Sequence, residues 1–129
     1  MIKRIKTSKK ASKYLDAIQN KLKLSTKASI LRIALSVSLK DPVDPLKNEN
    51  NLDSNGFEIS LSTLYGDYET YYKVLIKEHC KKDLTNDEII KYIIAHIERG
   101  IVVVYGELMT SNSVEQFINK IVGVEVWYI

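Results

Sequence analysis

His79, Cys80 and His96 carry the softest donor atoms of this 129-residue sequence, so metal or thiol chemistry would start there. Their spacing argues against a metal. His79 and Cys80 are neighbours on a predicted helix, so their side chains point about 100° apart. No fourth ligand stands at a zinc-site spacing. Cys80 is a separate candidate as a sulfur-carrying thiol. A thiol at a helix C-terminus is held protonated by the dipole, which is the opposite of activation. Packing is the ordinary role for all three. The carboxylates Glu58, Asp67, Glu69, Asp87 and Glu88 could be gathered into a nuclease cluster, but Asp67, Asp87 and Glu88 fall at predicted helix starts. Tyr65, Tyr68, Tyr71 and Tyr72 could stack on bases. Tyr68, Tyr71 and Tyr72 also share a face at helical spacing, which is the pattern of packing. Phosphate-binding glycine loops and nucleophile elbows are absent from the sequence. The residues therefore predict no catalytic site, no metal and no cofactor.

Lysine is where the pattern is strong. Residues 1–40 hold eleven Lys/Arg and one acid, Asp16, a net charge of +10. Residues 41–129 hold eight Lys/Arg and fifteen Asp/Glu, a net charge of −7. Basic charge gathered at one end is the electrostatic footprint of a polyanion binder. The alternative is a solvated lysine-rich helix face, which the imbalance between the two parts disfavours. A single cysteine excludes an internal disulfide and fits a reducing, cytoplasmic compartment. The longest apolar run, Ile101 to Tyr105, is far too short to span a membrane. The basic start lacks the apolar stretch of a secretory signal. It has some features of a transit peptide, but its helix starts and core-grade apolar face argue for a folded part.

The elements that must position these lysines follow from periodicity and capping. Length predicts one domain over 1–129. Ile2 to Thr7 alternates as a short strand. Ser8 caps a helix in which Ala11, Leu15, Ile18 and Leu22 line one face. Ser25 or Thr26 caps a second helix, Lys27 to Leu39, joined by so short a turn that the two must pack together. That second helix is apolar almost all round, with Ile30 and Ile33 off the face set by Leu31 and Leu35. One neighbour cannot cover it, so another subunit is expected to meet Ile30, Ile33 and Val37. Residues 41–56 form a polar loop. Residues 57–129 are expected to be acidic and helical with short strands: a strand from Phe57 to Ser62, a helix from about Tyr68 to Cys80, and a helix capped by Thr85 and Glu88 and ended by Gly100. A short helix follows Ser113, and the tail from Val124 to Ile129 reads as a weak strand.

Strand, helix, turn and helix over the first forty residues resemble the ribbon-helix-helix DNA-binding proteins, although the usual glycine of the turn is missing. The chain as a whole resembles the DndE family of bacterial DNA phosphorothioation systems. Three blocks carry the likeness over roughly residues 5–102: "LSTKASILRIALSVSL", "NGFEISLSTLYGD" and "AHIERGI". The resemblance implies a mainly α protein, ribbon-helix-helix-like at its N-terminus. It implies a homotetramer that binds double-stranded DNA, prefers nicked DNA and has no catalytic residues. It also implies partners among the other subunits of the DNA sulfur-modification complex.

The two lines of reasoning converge on Lys3, Arg4, Lys6, Lys9, Lys10, Lys13, Lys21, Lys23 and Lys27 as phosphate contacts, which position a protein without reading bases. The helix starts at Ser8 and Thr26 are expected to add N–H donors. An Arg/Asn/Gln set for direct base readout is not evident, so preference should come from DNA shape. The rival readings are an enzyme, either a nicking nuclease or a sulfur carrier using Cys80, and a pure assembly scaffold.

Overall fold

The structure is a computed structural model and describes residues 3–23, 26–47 and 52–122. Among the described residues two short strands and six helices follow one another: β1 (Arg4–Lys6), α1 (Lys9–Leu22), α2 (Lys27–Leu39), β2 (Glu58–Ser60), α3 (Leu61–Tyr65), α4 (Glu69–Cys80), α5 (Asn86–Met109) and α6 (Val114–Val122). The protein is mainly α, as expected. The expected strand-helix-turn-helix order also holds over the N-terminal part. The ribbon itself is made within the chain. β1 pairs antiparallel with β2, Ile5 opposite Ile59, and both of those side chains are buried.

α1 and α2 begin where their capping residues predict. Ser8 accepts from the Ala11 amide and Thr26 from the Ser29 amide. The turn between them solves its missing glycine in an unusual way. Lys23 adopts the left-handed conformation, φ 63°, a position that normally selects glycine.

α5 corrects one boundary. Gly100 does not end that helix, which runs on through the Ile101–Tyr105 stretch to Met109. The glycine serves a helix crossing instead. A Cβ at Gly100 would lie 1.8 Å from the carbonyl oxygen of Ala34, so only glycine lets α5 approach the backbone of α2. α5 is the central element, packed against α1, α2, α4, α6 and β1.

α2 corrects a second expectation. It packs against α1, α3, α4 and α5 of its own chain. Ile30 is 0% exposed, so it belongs to the internal core and cannot meet another subunit. The all-round apolar character of α2 is answered by several intramolecular neighbours. Ile33 and Val37 remain half-buried and line a cavity of about 400 Å³ with Tyr72, Ile121 and Val122. α3, capped by Ser60, was not foreseen, because five residues are too few to show a helical period. The predicted tail strand, Val124 to Ile129, lies outside the described residues.

Candidate nucleic-acid interface

On α1 the buried stripe is Ala11, Leu15 and Ile18. At 100° per residue, Lys9 and Lys13 point directly away from it, and Lys10 and Lys21 lie on one flank. All four are exposed, as is Lys23 just beyond. None of these five has an ion-pair partner among the described residues. Lys10 lies over the ring of Tyr14, 5.8 Å from its centroid, and Tyr14 in turn packs against Tyr105, centroids 4.5 Å apart. That contact supports the lysine stem and leaves the ammonium in water.

The other four predicted cations face acids. Lys3 reaches Asp87 at 2.9 Å. Arg4 lies 3.1 Å from Glu58, and Lys6 lies 4.0 Å from the same carboxylate. Lys27 lies 3.3 Å from Asp16, the only acid of the first forty residues, and 5.0 Å from the centroid of Phe57. All of these pairs are at least partly exposed and therefore weak. They still mark a difference: among the described residues, the five lysines of α1 and its end make no side-chain ion pair, and the four around them do.

The expected phosphate site at Ser8 is overturned. Glu98, ninety residues away, accepts from the Ser8 amide at 2.8 Å and from the Ser8 hydroxyl at 2.6 Å. The Lys9 amide donates to Asp53 at 2.8 Å, and the Ala11 amide to the Ser8 hydroxyl at 3.0 Å. These N–H groups are spent on the protein's own acceptors. The two carboxylates supply the negative charge that the first turn of α1 lacks. The amides of Asn55 and Lys9 hold the Asp53 carboxyl below its ordinary range. At the start of α2, Thr26 is exposed and the first turn again holds no acid.

The sequence candidates for catalysis are scattered. Cys80 is half-buried at the end of α4, with its thiol turned to the carbonyls of Lys77 and Lys82. Glu88 spends its carboxylate on the Thr85 amide, completing the predicted capping box. Tyr72 is buried, whereas Tyr68 and Tyr71 are 59% and 61% exposed. Among the described residues, no group of three or more His, Cys, Asp or Glu could hold a metal ion.

The family model of the DNA sulphur modification protein DndE matches residues 4–113. The chain belongs to the DndE family. Its fold is similar to the crystal structure of DndE from Escherichia coli B7A, described as involved in DNA phosphorothioation modification. The TM-score is 0.64 at 19% identity, over 78% of this chain and 97% of that one. No curated protein matches the chain.

The blocks that carry the DndE resemblance can now be given physical roles. "LSTKASILRIALSVSL" contains α2. "NGFEISLSTLYGD" contains β2 and α3; its Gly56 amide donates to the Thr7 carbonyl and its Phe57 amide to the Thr7 hydroxyl. In "AHIERGI", His96 pairs with Ser38, Glu98 caps α1 and Gly100 allows the α2 crossing. Arg99 donates to Ser38 Oγ and to the carbonyls of Ser38 and Val43, which closes the C-terminus of α2 with a cation. The blocks are architectural. The lysines without an ion pair among the described residues lie on and just past the helix before them, where both the charge count and the resemblance pointed.

Proposed function

We propose that this DndE family member is a non-catalytic, cytoplasmic DNA-binding subunit of a bacterial DNA phosphorothioation system, and that Lys9, Lys10, Lys13, Lys21 and Lys23 are its phosphate contacts. One observation carries the reading: five exposed lysines that make no side-chain ion pair among the described residues lie along and just past one helix, whose opposite side is fixed in the core. Lys3, Arg4, Lys6 and Lys27 form a second tier, held by weak pairs that phosphate can displace. Such a surface binds duplex DNA through its backbone and tolerates sequence. A nick makes the duplex cheaper to bend, so a basic surface spread over an assembly favours nicked DNA. The assembly is a homo-oligomer, taken as the tetramer that the family resemblance implies. Ile33 and Val37, on the apolar cavity beside Tyr72 and Val122, are its interface candidates. The partners are the other subunits of the modification complex.

A gel-shift series with intact, nicked and gapped duplexes tests this. The expected result is tightest binding to the nicked duplex and comparable loss on all three when Lys9, Lys10 and Lys13 become Ala. Unchanged affinity in the triple variant would refute the assigned surface. Metal-dependent cleavage of the duplex would refute the non-catalytic role.

A further inference from the structure

Beside the lysine row, α1 and α5 meet at an aromatic pair. At 100° per residue, Lys10, Tyr14 and Lys21 share one flank of α1, and Asp16 lies on the other. Tyr14 packs against Tyr105 of α5, with ring centroids 4.5 Å apart and planes inclined by 36°. The Lys10 ammonium stands over the Tyr14 ring, 5.8 Å from its centroid. Lys10 is exposed and both tyrosines are only half-buried, so water reaches the ring where the ammonium stands. On α5, Val102 lies three residues before Tyr105 and Met109 four after, on the same face of the helix. They are 42% and 38% exposed. The patch is an aromatic and apolar strip edged by two lysines that make no ion pair among the described residues. Packing alone is the ordinary role of a half-buried tyrosine, and Tyr14 does fix α1 to α5. Packing does not account for the exposed valine and methionine that continue the strip, nor for the cations along it.

We propose that Tyr14, braced by Tyr105, is a stacking platform for one unpaired base of the DNA whose phosphates Lys10 and Lys21 hold. The proposal rests on the reading of α1 as the DNA surface and adds a base contact to it. Every base has a π face, so stacking tolerates sequence as the phosphate contacts do. A fully paired duplex keeps its bases stacked inside and offers none to the ring. An unpaired base costs little to take out of the stack. In the complex, that base takes the place of the Lys10 ammonium over the ring, and the ammonium moves to the adjoining phosphate. Tyr105 backs the ring from the central helix, so the core rather than a loop holds the platform in place. Tyr68 and Tyr71 are more exposed, but they stand beside the carboxylates Asp67 and Glu69 in the chain, which repel a phosphate backbone.

Two duplexes of equal length and with the same ends, one fully paired and one with a gap of a few unpaired thymines, test the platform in the full-length protein. The wild type should bind the gapped duplex more tightly. Tyr14→Leu, which keeps an apolar side chain against Tyr105, should lower the gapped-over-paired affinity ratio by about fivefold or more. Tyr14→Phe, which keeps the ring, should retain the ratio. A second readout needs no variant: a gapped duplex carrying 5-iodouracil in the gap should, on irradiation, cross-link to Tyr14 of the wild type. A ratio that Tyr14→Leu leaves unchanged, equal loss on both duplexes included, would overturn the proposal. Cross-links confined to residues away from Tyr14 and Tyr105 would do the same. So would a drop in the light-scattering mass of Tyr14→Leu, which would make the strip a contact between copies of this chain. Failure of the wild type to bind either duplex would refute the DNA surface itself and the platform with it, whereas paired-duplex binding without the change in ratio would refute the platform alone.

Discussion

At the scale of single residues, Glu98 shows how a long-range contact replaces a local one. A capping box normally draws its carboxylate from the third residue of the same helix, and α1 has Ala11 there. Glu98 supplies the missing group from α5 and ties the two helices together. Glu98→Ala leaves the buried Ser8 amide and hydroxyl without their acceptor and should cost about 2–3 kcal/mol. A urea midpoint that falls at unchanged slope would register it. His96 sets a pH dependence whose sign follows from its lowered pKa. The unfolded chain takes up that proton near pH 6.5 and the folded chain only near pH 3. Between those limits the unfolded state binds more protons, so stability falls as pH falls, by up to about 1.4 kcal/mol per pH unit. His96→Gln should flatten the urea midpoint against pH over that window; the wild-type slope in the variant would count against the assignment. Lys23 separates stability from binding. Lys23→Gly relieves a left-handed lysine, which should add roughly 1 kcal/mol, and removes one proposed phosphate contact. Thermal melting and DNA titration should therefore move in opposite directions.

At the scale of elements, Gly100 is the position where α2 and α5 fit or fail. Gly100→Ala forces a methyl into the Ala34 carbonyl. The helices must separate, at a cost of about 3 kcal/mol; circular dichroism melts within a degree of wild type would contradict this crossing. The same residue shows why part of the fold could not be read from the sequence. A glycine after a periodic run has the appearance of a helix end, and nothing local distinguishes that from a close crossing with residues far away in sequence. α1 and α2 were legible because Ser8 and Thr26 cap them and Ala11, Leu15 and Ile18 repeat at helical spacing. The burial of Ile30 was not legible, because it depends on how many helices of the same chain surround α2. The closure of Ser8 by Glu98 was hidden for the same reason. The free lysine face was legible in outline, since a net charge of +10 is visible in residues 1–40. Which cations are compensated required the positions of Asp16, Glu58 and Asp87.

At the scale of the whole molecule, the charge division becomes a spatial one. Acids from the later part reach back to Lys3, Arg4 and Lys6, so β1 is partly neutralised where it joins the core. The α1 lysines make no such ion pair among the described residues. Most affinity for DNA should therefore reside in α1, and it should vary with salt. Each phosphate neutralised contributes about 0.9 to the slope of log K against log salt. If Lys9, Lys10 and Lys13 each hold one phosphate, replacing all three by Ala should lower that slope by about 2.7 per bound chain. The same substitution in Lys3, Arg4 and Lys6 should lower it less, because those cations already have acidic partners that they must leave. Neither triple should alter relative affinity among duplex sequences, since backbone contacts carry no base information. Titrations at several salt concentrations, with intact and nicked duplexes, measure all of these quantities together. Equal slope changes for the two triples would show that the ion pairs around β1 do not matter in the complex. A larger change for the β1 triple would move the interface from the helix to the ribbon.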